Sequence, residues 1–195
     1  AELLAGLRSE GMHAGENERY PQRIVHVLPG NVLPAVLSML VRGWLLGAAQ
    51  WLRPAARDPW FAACVASSLP ELAPQLAATL TVFWWPPDDE RTAAAVLSRA
   101  EIVTAQGDDA SVEAVRELVA RQAPAARFVG YGARWSLAVV SHGAQSPATA
   151  MALARDVALF DQQGCLSPSL VLAERGGDLP GWCAHLAAAL RALQV

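Results

Sequence analysis

Short apolar runs rich in β-branched and aromatic residues alternate with longer runs of helical period along almost the whole chain. This alternation limits the fold more than any other feature. "RIVHVL" (Arg23 to Leu28), "AAQWLRP", "TVFWWP", "EIVTAQG", "ARFVGYG", "SLAVVSHG" and "SLVLAE" read as strands. Between them, "NVLPAVLSMLVRGWLLG" reads as a mostly buried helix ended by Gly47, and "PWFAACVASSLPELAPQLAATL" as one or two helices broken at Pro70 or Pro74. Asp58 is an N-cap candidate, with Pro59 at the first helical position. "DDERTAAAVLSRA", "DDASVEAVRELVARQ", "SPATAMALARDVALFD" and "LPGWCAHLAAALRALQ" complete the helical set. Such alternation predicts an α/β protein with a doubly wound parallel sheet, and turn residues in "SHGAQSP" predict a domain boundary at residues 143–146. Ligands of such sheets bind beyond the carboxyl ends of the strands. The loops to inspect are therefore residues 29–31, 53–57, 107–109 and 130–134.

Composition removes several function classes. With 53% hydrophobic residues and seven tryptophans among 195 residues, the chain can bury a sizeable core, so disorder is not expected. All fifteen basic residues are arginine, which excludes a lysine Schiff base or a Walker-type phosphate lysine. A net charge of -3 and scattered arginines offer no basic stripe for nucleic acid. Cys64, Cys165 and Cys183 form no C-x-x-C pair, which argues against a disulfide framework or structural zinc and fits a reducing cytoplasm. The histidines show no metal-ligand spacing, so no metal is expected. The apolar run 31–52 carries Arg42 and Pro34 and is read as a helix followed by a strand, not as a membrane span. The chain opens with Ala1 and no basic-then-apolar leader follows; a removed leader and a fragment boundary both stay open.

Individual residues allow more than one chemistry. Cys165 in "FDQQGCLSP" has glycine and polar neighbours; it is either a nucleophile with a lowered pKa or an inert small residue at a turn. Cys64 and Cys183 lie in helical apolar surroundings and are read as inert. Asn31 in "LPGN" is either a helix N-cap or an amide donor to an oxyanion. Arg53 after the second strand is either a surface charge or a clamp on ribose or phosphate. "QGDDAS" caps a helix or presents its N-terminus to a pyrophosphate, although Asp108 and Asp109 would repel that anion. "GYGAR" holds only part of a dinucleotide fingerprint. His142, after a strand end, could serve as an acid or base.

The series "LPGN", "WLRPAARDP", "EIVTAQGDD", "RFVGYGARWS" and "DQQGCLSP" resembles the acyl-CoA reductases of the bacterial bioluminescence type, LuxC, in the aldehyde dehydrogenase superfamily. The resemblance runs from about Arg23 to Glu174. It implies a Rossmann-like NAD(P)-binding domain over residues 1–143, with 1–22 as a lead-in, and the start of a catalytic domain over 144–195. Cys165 falls on the catalytic cysteine, and Asn31 on the asparagine that shares the oxyanion hole with the cysteine N–H. Arg53 stands where a lysine commonly contacts the adenosine ribose, which mildly favours NADPH over NADH. Thr104, Gly107 and Gly132 match positions beside the cofactor. By count back from Cys165, Gly130 stands where aldehyde-oxidising members carry the glutamate that activates water. An acyl-cysteine would then persist until hydride removed it.

The implied activity is NADPH-dependent reduction of a fatty acyl-CoA or acyl-protein thioester to the aldehyde. An acyl-transferase or synthetase partner and a homo-oligomer are expected for the intact enzyme. The alternatives are a CoA-acylating aldehyde dehydrogenase acting on short aldehydes, and a non-catalytic dinucleotide-binding or scaffolding module. Such enzymes are expected to continue well past the cysteine, so the length predicts a fragment or a truncated relative.

Overall fold

The computed structural model describes residues 20–30, 33–162, 164 and 166–193. Its contacts divide the chain into two compact units, Ala1–Gly132 and Ala133–Val195. The first unit is built on five parallel strands: β1 (Arg23–Val27), β2 (Ala49–Arg53), β3 (Leu80–Val82), β4 (Ile102–Gln106) and β5 (Arg127–Tyr131). Their spatial order is β3-β2-β1-β4-β5. Helices α1 (Leu33–Leu45), α2 (Trp60–Leu72), α3 (Pro74–Ala77), α4 (Glu90–Leu97) and α5 (Asp109–Gln122) make the connections.

The period-2 alternation of the strands sends side chains to two cores. Val25 lies in register with Trp51 and Val103. These three join Val96 and Leu97 of α4 and Val119 of α5 on one face. One residue further on, His26, Leu52 and Thr104 align and point the other way. There Leu52 meets Val36 and Leu40 of α1 and Ala62 of α2. Both faces of the sheet are therefore covered, which is why β1 and β4 read as near-continuous apolar runs. Each fully buried Leu or Val contributes about 1.5–3 kcal/mol.

Some boundaries differ from the sequence reading. Pro70 sits inside α2, and the break comes at Ala73 (φ -154, ψ 73), immediately before Pro74. The ring of a proline disfavours helical backbone in the residue ahead of it, and here Ala73 obeys while Leu69 stays helical. Pro59 is the N-cap of α2 rather than its first helical residue, although the Asp58 carboxylate still accepts from Phe61 N at 3.4 Å. Gly47, at φ 74, supplies the left-handed turn after α1.

The second unit has its own sheet: among the described residues β6 (Leu137–Val140) and β7 (Leu170–Ala173) pair only with each other, in parallel. Strand-helix alternation is legible in sequence, but it does not say which strands share a sheet. Ala138, Val140, Val171 and Ala173 pack against α6 (Pro147–Ala158) and α7 (Leu179–Leu193), with Ala150, Leu153, Val157 and Trp182 at the centre. The turn residues 143–146 lie within this unit, between β6 and α6. Ser146 caps α6 by accepting from Thr149 N at 3.2 Å. Among the described residues no helix is long and apolar enough to cross a membrane.

Candidate active site

The strand order reverses between β1 and β4: the chain goes from β1 outward to β2 and β3, then returns to the far side of β1. Connections diverge at such a point and leave a crevice at the carboxyl ends of the strands. Four of the motif loops line that edge. Leu28 N donates to Arg53 O at 2.9 Å, so the loop after β1 starts beside the end of β2. A Cβ on Gly30 would stand 3.2 Å from Ala55 Cβ and 3.3 Å from Arg57 Cβ, so "LPG" and "RPAAR" are packed closely. On the other side of the reversal, Gly107 N donates to Tyr131 O at 3.2 Å, which joins the loop after β4 to the end of β5.

Arg53 ends β2 half-buried. Its Nη2 donates to Trp85 O at 3.0 Å, and its guanidinium lies 5.0 Å from the Trp85 ring centroid. Its Nε is buried without a hydrogen-bond partner among the described residues. Burial lowers its pKa from the ordinary arginine value. An arginine keeps its charge under such a shift. A stacked, half-buried cation at the end of β2 suits an anionic or hydroxyl-rich ligand.

The N-terminus of α5 is already capped. Asp108 Oδ1 accepts from Ser111 N at 2.7 Å, and that bond holds the Asp108 carboxyl below the usual carboxylate range. With Asp109 also in the first turn, the positive end of the helix macrodipole is answered by the chain's own carboxylates. The helix-cap reading of "QGDDAS" is formed by Asp108.

Thr104 lies inside β4 and is buried, and its Oγ1 stands 2.7 Å from His26 Nδ1. His26 Nε2 stands 3.0 Å from Gln50 Oε1, while Gln50 Nε2 donates to Leu40 O at 2.9 Å. That amide orientation makes Nε2 of the imidazole the donor and leaves Nδ1 to accept from the Thr104 hydroxyl. Burial pushes the His26 pKa down to about 4, against the smaller opposing effect of the Gln50 bond. The network ties β1, β2, β4 and α1 together directly beneath the edge. Sequence reading missed it, because its members are 24 and 78 positions from His26 and the only local signal is a histidine within "IVHV".

Gly130, in β5, is sterically closed. A Cβ there would stand 2.7 Å from Val112 Cγ1 and 2.9 Å from Phe128 Cε1. At Gly132 a Cβ would meet the Asp109 carboxylate.

In the second unit, Asn31's counterpart in the proposed chemistry, Cys165, lies outside the described residues, as does Asn31 itself. The residues flanking Cys165 are firmly held. Ser167 is buried, its Oγ donates to Leu159 O at 3.0 Å and its N donates to Gly164 O at 3.0 Å. Ser136 Oγ donates to Leu166 O at 3.2 Å, and Ser136 O accepts from Ser169 N at 2.8 Å. Asp161 and Gln162 adopt φ of 52 and 60. Consecutive non-glycine residues in the left-handed region cost on the order of 1 kcal/mol each and persist only where the surroundings impose them.

His142 follows the opposite end of β6 from Ser136. Its N donates to Glu174 Oε2 at 2.9 Å, and its Nδ1 lies 3.6 Å from the same oxygen. The four residues of β6 separate it from Ser136 and the Leu166 carbonyl. At about 3.3 Å per residue this is a span of roughly 13 Å, too far for direct proton transfer at that loop. Cys64 and Cys183, expected in apolar surroundings, are free and exposed on the outer faces of α2 and α7.

A five-stranded parallel sheet with its reversal at β1 and β4, followed by a separate parallel pair, is shared with aldehyde dehydrogenases of known structure. The NAD-dependent aldehyde dehydrogenase from Sinorhizobium meliloti matches with a TM-score of 0.69 at 21% identity, over 88% of this chain and 34% of that one. Within that fold class the chain belongs to the LuxC family of acyl-CoA reductases, whose family model matches residues 13–194. Among curated relatives, a long-chain acyl-protein thioester reductase of Aliivibrio fischeri is 27% identical over 146 residues, 73% of this chain and 30% of the relative. The protein of the same description from Photorhabdus luminescens is 29% identical over 147 residues, again 73% and 30%. The chain thus spans about 30% of the length of these relatives.

Proposed function

We propose that this chain carries the dinucleotide-binding and nucleophile-bearing part of an acyl-thioester reductase, which converts a fatty acyl-CoA or acyl-protein thioester to the fatty aldehyde. Membership of the acyl-CoA reductase family over residues 13–194 carries the reading. Gly130 supports the reductive direction by its identity, since by count back from Cys165 it stands where aldehyde-oxidising relatives of the resembled superfamily carry the glutamate that activates water. The first unit, residues 1–132, is assigned to NAD(P) binding and the second, residues 133–195, to the start of the catalytic domain, a boundary earlier than the 143–146 turn read from the sequence.

The thiolate of Cys165 attacks the thioester carbonyl, forming a carbon–sulfur bond, while the Asn31 amide and the Cys165 N–H donate to the oxyanion. Collapse breaks the original carbon–sulfur bond and expels the donor thiol, leaving an acyl-cysteine. A nicotinamide dinucleotide held near Arg53, Gly107 and Gly132 would supply hydride chemistry, which reduces the acyl-cysteine to a thiohemiacetal. Cleavage of the thiohemiacetal releases the aldehyde and restores the thiolate. Arg53 would hold the adenosine ribose, and its positive charge suits a 2′-phosphate, favouring NADPH. Gly107 and Gly132 would admit the dinucleotide close to the backbone at the ends of β4 and β5, with Thr104 anchoring β4 through His26. The free thiols Cys64 and Cys183 suit a reducing cytoplasm. An acyl-transferase or synthetase that supplies the acyl group, and self-association of the intact enzyme, complete the proposal.

The test is aldehyde release from long-chain acyl-CoA with NADPH or NADH, paired with dinucleotide titration of Arg53→Ala. Loss of one charge-assisted contact predicts that Arg53→Ala weakens NADPH binding about tenfold or more and NADH binding by less. An unchanged NADPH:NADH ratio of Kd values would remove Arg53 from the site. Faster turnover of short aldehydes with CoA than of long acyl-CoA would favour the acylating dehydrogenase instead.

A further inference from the structure

We infer that Trp85 is a positioning residue that sets the Arg53 guanidinium for the 2′-phosphate of a dinucleotide; this rests on the reading of Arg53 as the contact to the adenosine ribose. Trp51 and Arg53 lie two apart on β2 and share one face of the sheet. The chain leaving β3 continues beside β2, because Phe83 N donates to Leu52 O at 3.0 Å. It brings Trp85 to Arg53 by two contacts. The Trp85 carbonyl accepts from Arg53 Nη2 at 3.0 Å, and the centre of the Trp85 ring lies 5.0 Å from the guanidinium carbon. Two prolines stiffen the segment that follows. Pro86 restricts the backbone of Trp85, and its carbonyl accepts from Asp89 N at 3.1 Å, closing a turn with Pro87 at the second position. The Trp85 ring is itself held, since it stacks on Phe83 at 5.5 Å and Phe83 meets Trp51 edge-on at 5.7 Å.

Core packing alone does not account for this arrangement. Trp85 is 4% exposed and belongs to the cluster of Val25, Ala93 and Leu97, where an aliphatic side chain would also fit. Arg53, however, is a cation held half-buried beside that ring, at the carboxyl edge of the sheet. Burying a cation costs free energy that a neutral residue at the end of β2 would avoid. The indole face and the carbonyl bond offset part of that cost, and together they fix the plane of the guanidinium. A planar fork matches a phosphate only in the right orientation, so a guanidinium ordered before the ligand arrives loses less freedom on binding. A 2′-hydroxyl needs one donor and no particular plane. The benefit of the stack therefore falls on NADPH more than on NADH.

The experiment titrates NADPH and NADH separately, by calorimetry, into wild type, Trp85→Leu, Trp85→Phe, Arg53→Lys and the variant carrying both Arg53→Lys and Trp85→Leu, with urea unfolding of each in parallel. Loss of the stacking face predicts that Trp85→Leu reduces the preference for NADPH over NADH about fivefold, whereas Trp85→Phe, which keeps an aromatic face, retains most of it. With Arg53→Lys, which has no planar fork to orient, adding Trp85→Leu should change the preference by less than about twofold. Lost packing would instead weaken both dinucleotides alike, whichever residue stands at position 53. A second readout needs no dinucleotide: phenylglyoxal labelling of Arg53, resolved by peptide mass against the exposed Arg57, should be about threefold faster in Trp85→Leu. Trp85→Met serves the same comparisons if Trp85→Leu does not fold. A folded Trp85→Leu with the wild-type preference, or an equal effect beside arginine and beside lysine, would overturn the positioning role. Arg53→Ala with the wild-type preference, or wild-type protein that binds the two dinucleotides equally, would overturn the reading of Arg53 and the positioning role with it.

Discussion

Gly130→Ala is expected to destabilise the protein by about 1–3 kcal/mol, the usual cost of forcing an extra carbon into a packed interior, and Gly130→Glu by more. The reason is local and specific. The added Cβ would stand 2.7 Å from Val112 Cγ1 on α5 and 2.9 Å from the Phe128 ring two residues back on the same strand. The Arg116 guanidinium lies 4.7 Å from the Phe128 ring centroid, a contact that a displaced ring would give up. Glutamate adds a carboxylate that must be desolvated or must push through the same gap. Equilibrium denaturation of Gly130→Ala alone and with Val112→Ala measures this directly. The second substitution removes the nearest obstructing methyl and should recover part of the loss. Wild-type stability in Gly130→Ala would mean that Val112 and Phe128 give way without cost and that the close contact does not constrain this position.

The second large effect is with pH. The His26 imidazole has a folded pKa of about 4 against 6.5 for the ordinary residue. The unfolded chain therefore takes up a proton at this position, between those two values, that the folded protein refuses. Stability is full above pH 6.5 and falls as the pH drops toward 4. The whole loss is about 3 kcal/mol at about 1.4 kcal/mol per unit of pKa. Its two ring partners, Thr104 and Gln50, do not titrate in this window. Urea unfolding between pH 7 and 4.5 should show the decline, and His26→Asn, which keeps a polar side chain but has no titrating ring, should flatten it. A flat wild-type profile would show that the ring is solvated rather than sealed between the strands.

The sequence carried most of the element pattern for a physical reason. Runs such as "IVTAQ" and "RIVHV" are β-branched and buried on both faces, so their character does not depend on distant partners. The α2 region was harder, because Pro70 and Pro74 are equivalent as letters, yet the first lies inside the helix beside the buried Leu69 and the second ends it. The separate β6–β7 sheet was not legible, since a strand's neighbour is set by tertiary contact. In the site, the motif loops were legible and do gather at one sheet edge, with Arg53 at the end of β2 as expected. What stayed hidden were long-range polar partners: Trp85 for Arg53, His26 for Thr104, and Ser136 for the carbonyl after Cys165. A hydrogen bond between residues 30 or 78 positions apart leaves no periodic trace.

The most direct measurement is the mass of the protein after incubation with long-chain acyl-CoA, first without and then with NADPH. Wild-type protein should gain one acyl group, mapped to the peptide containing Cys165, and lose it as free aldehyde when NADPH is added, whereas Cys165→Ala should gain none. Equal labelling of the two proteins, or release of the acyl group as free acid, would contradict the account.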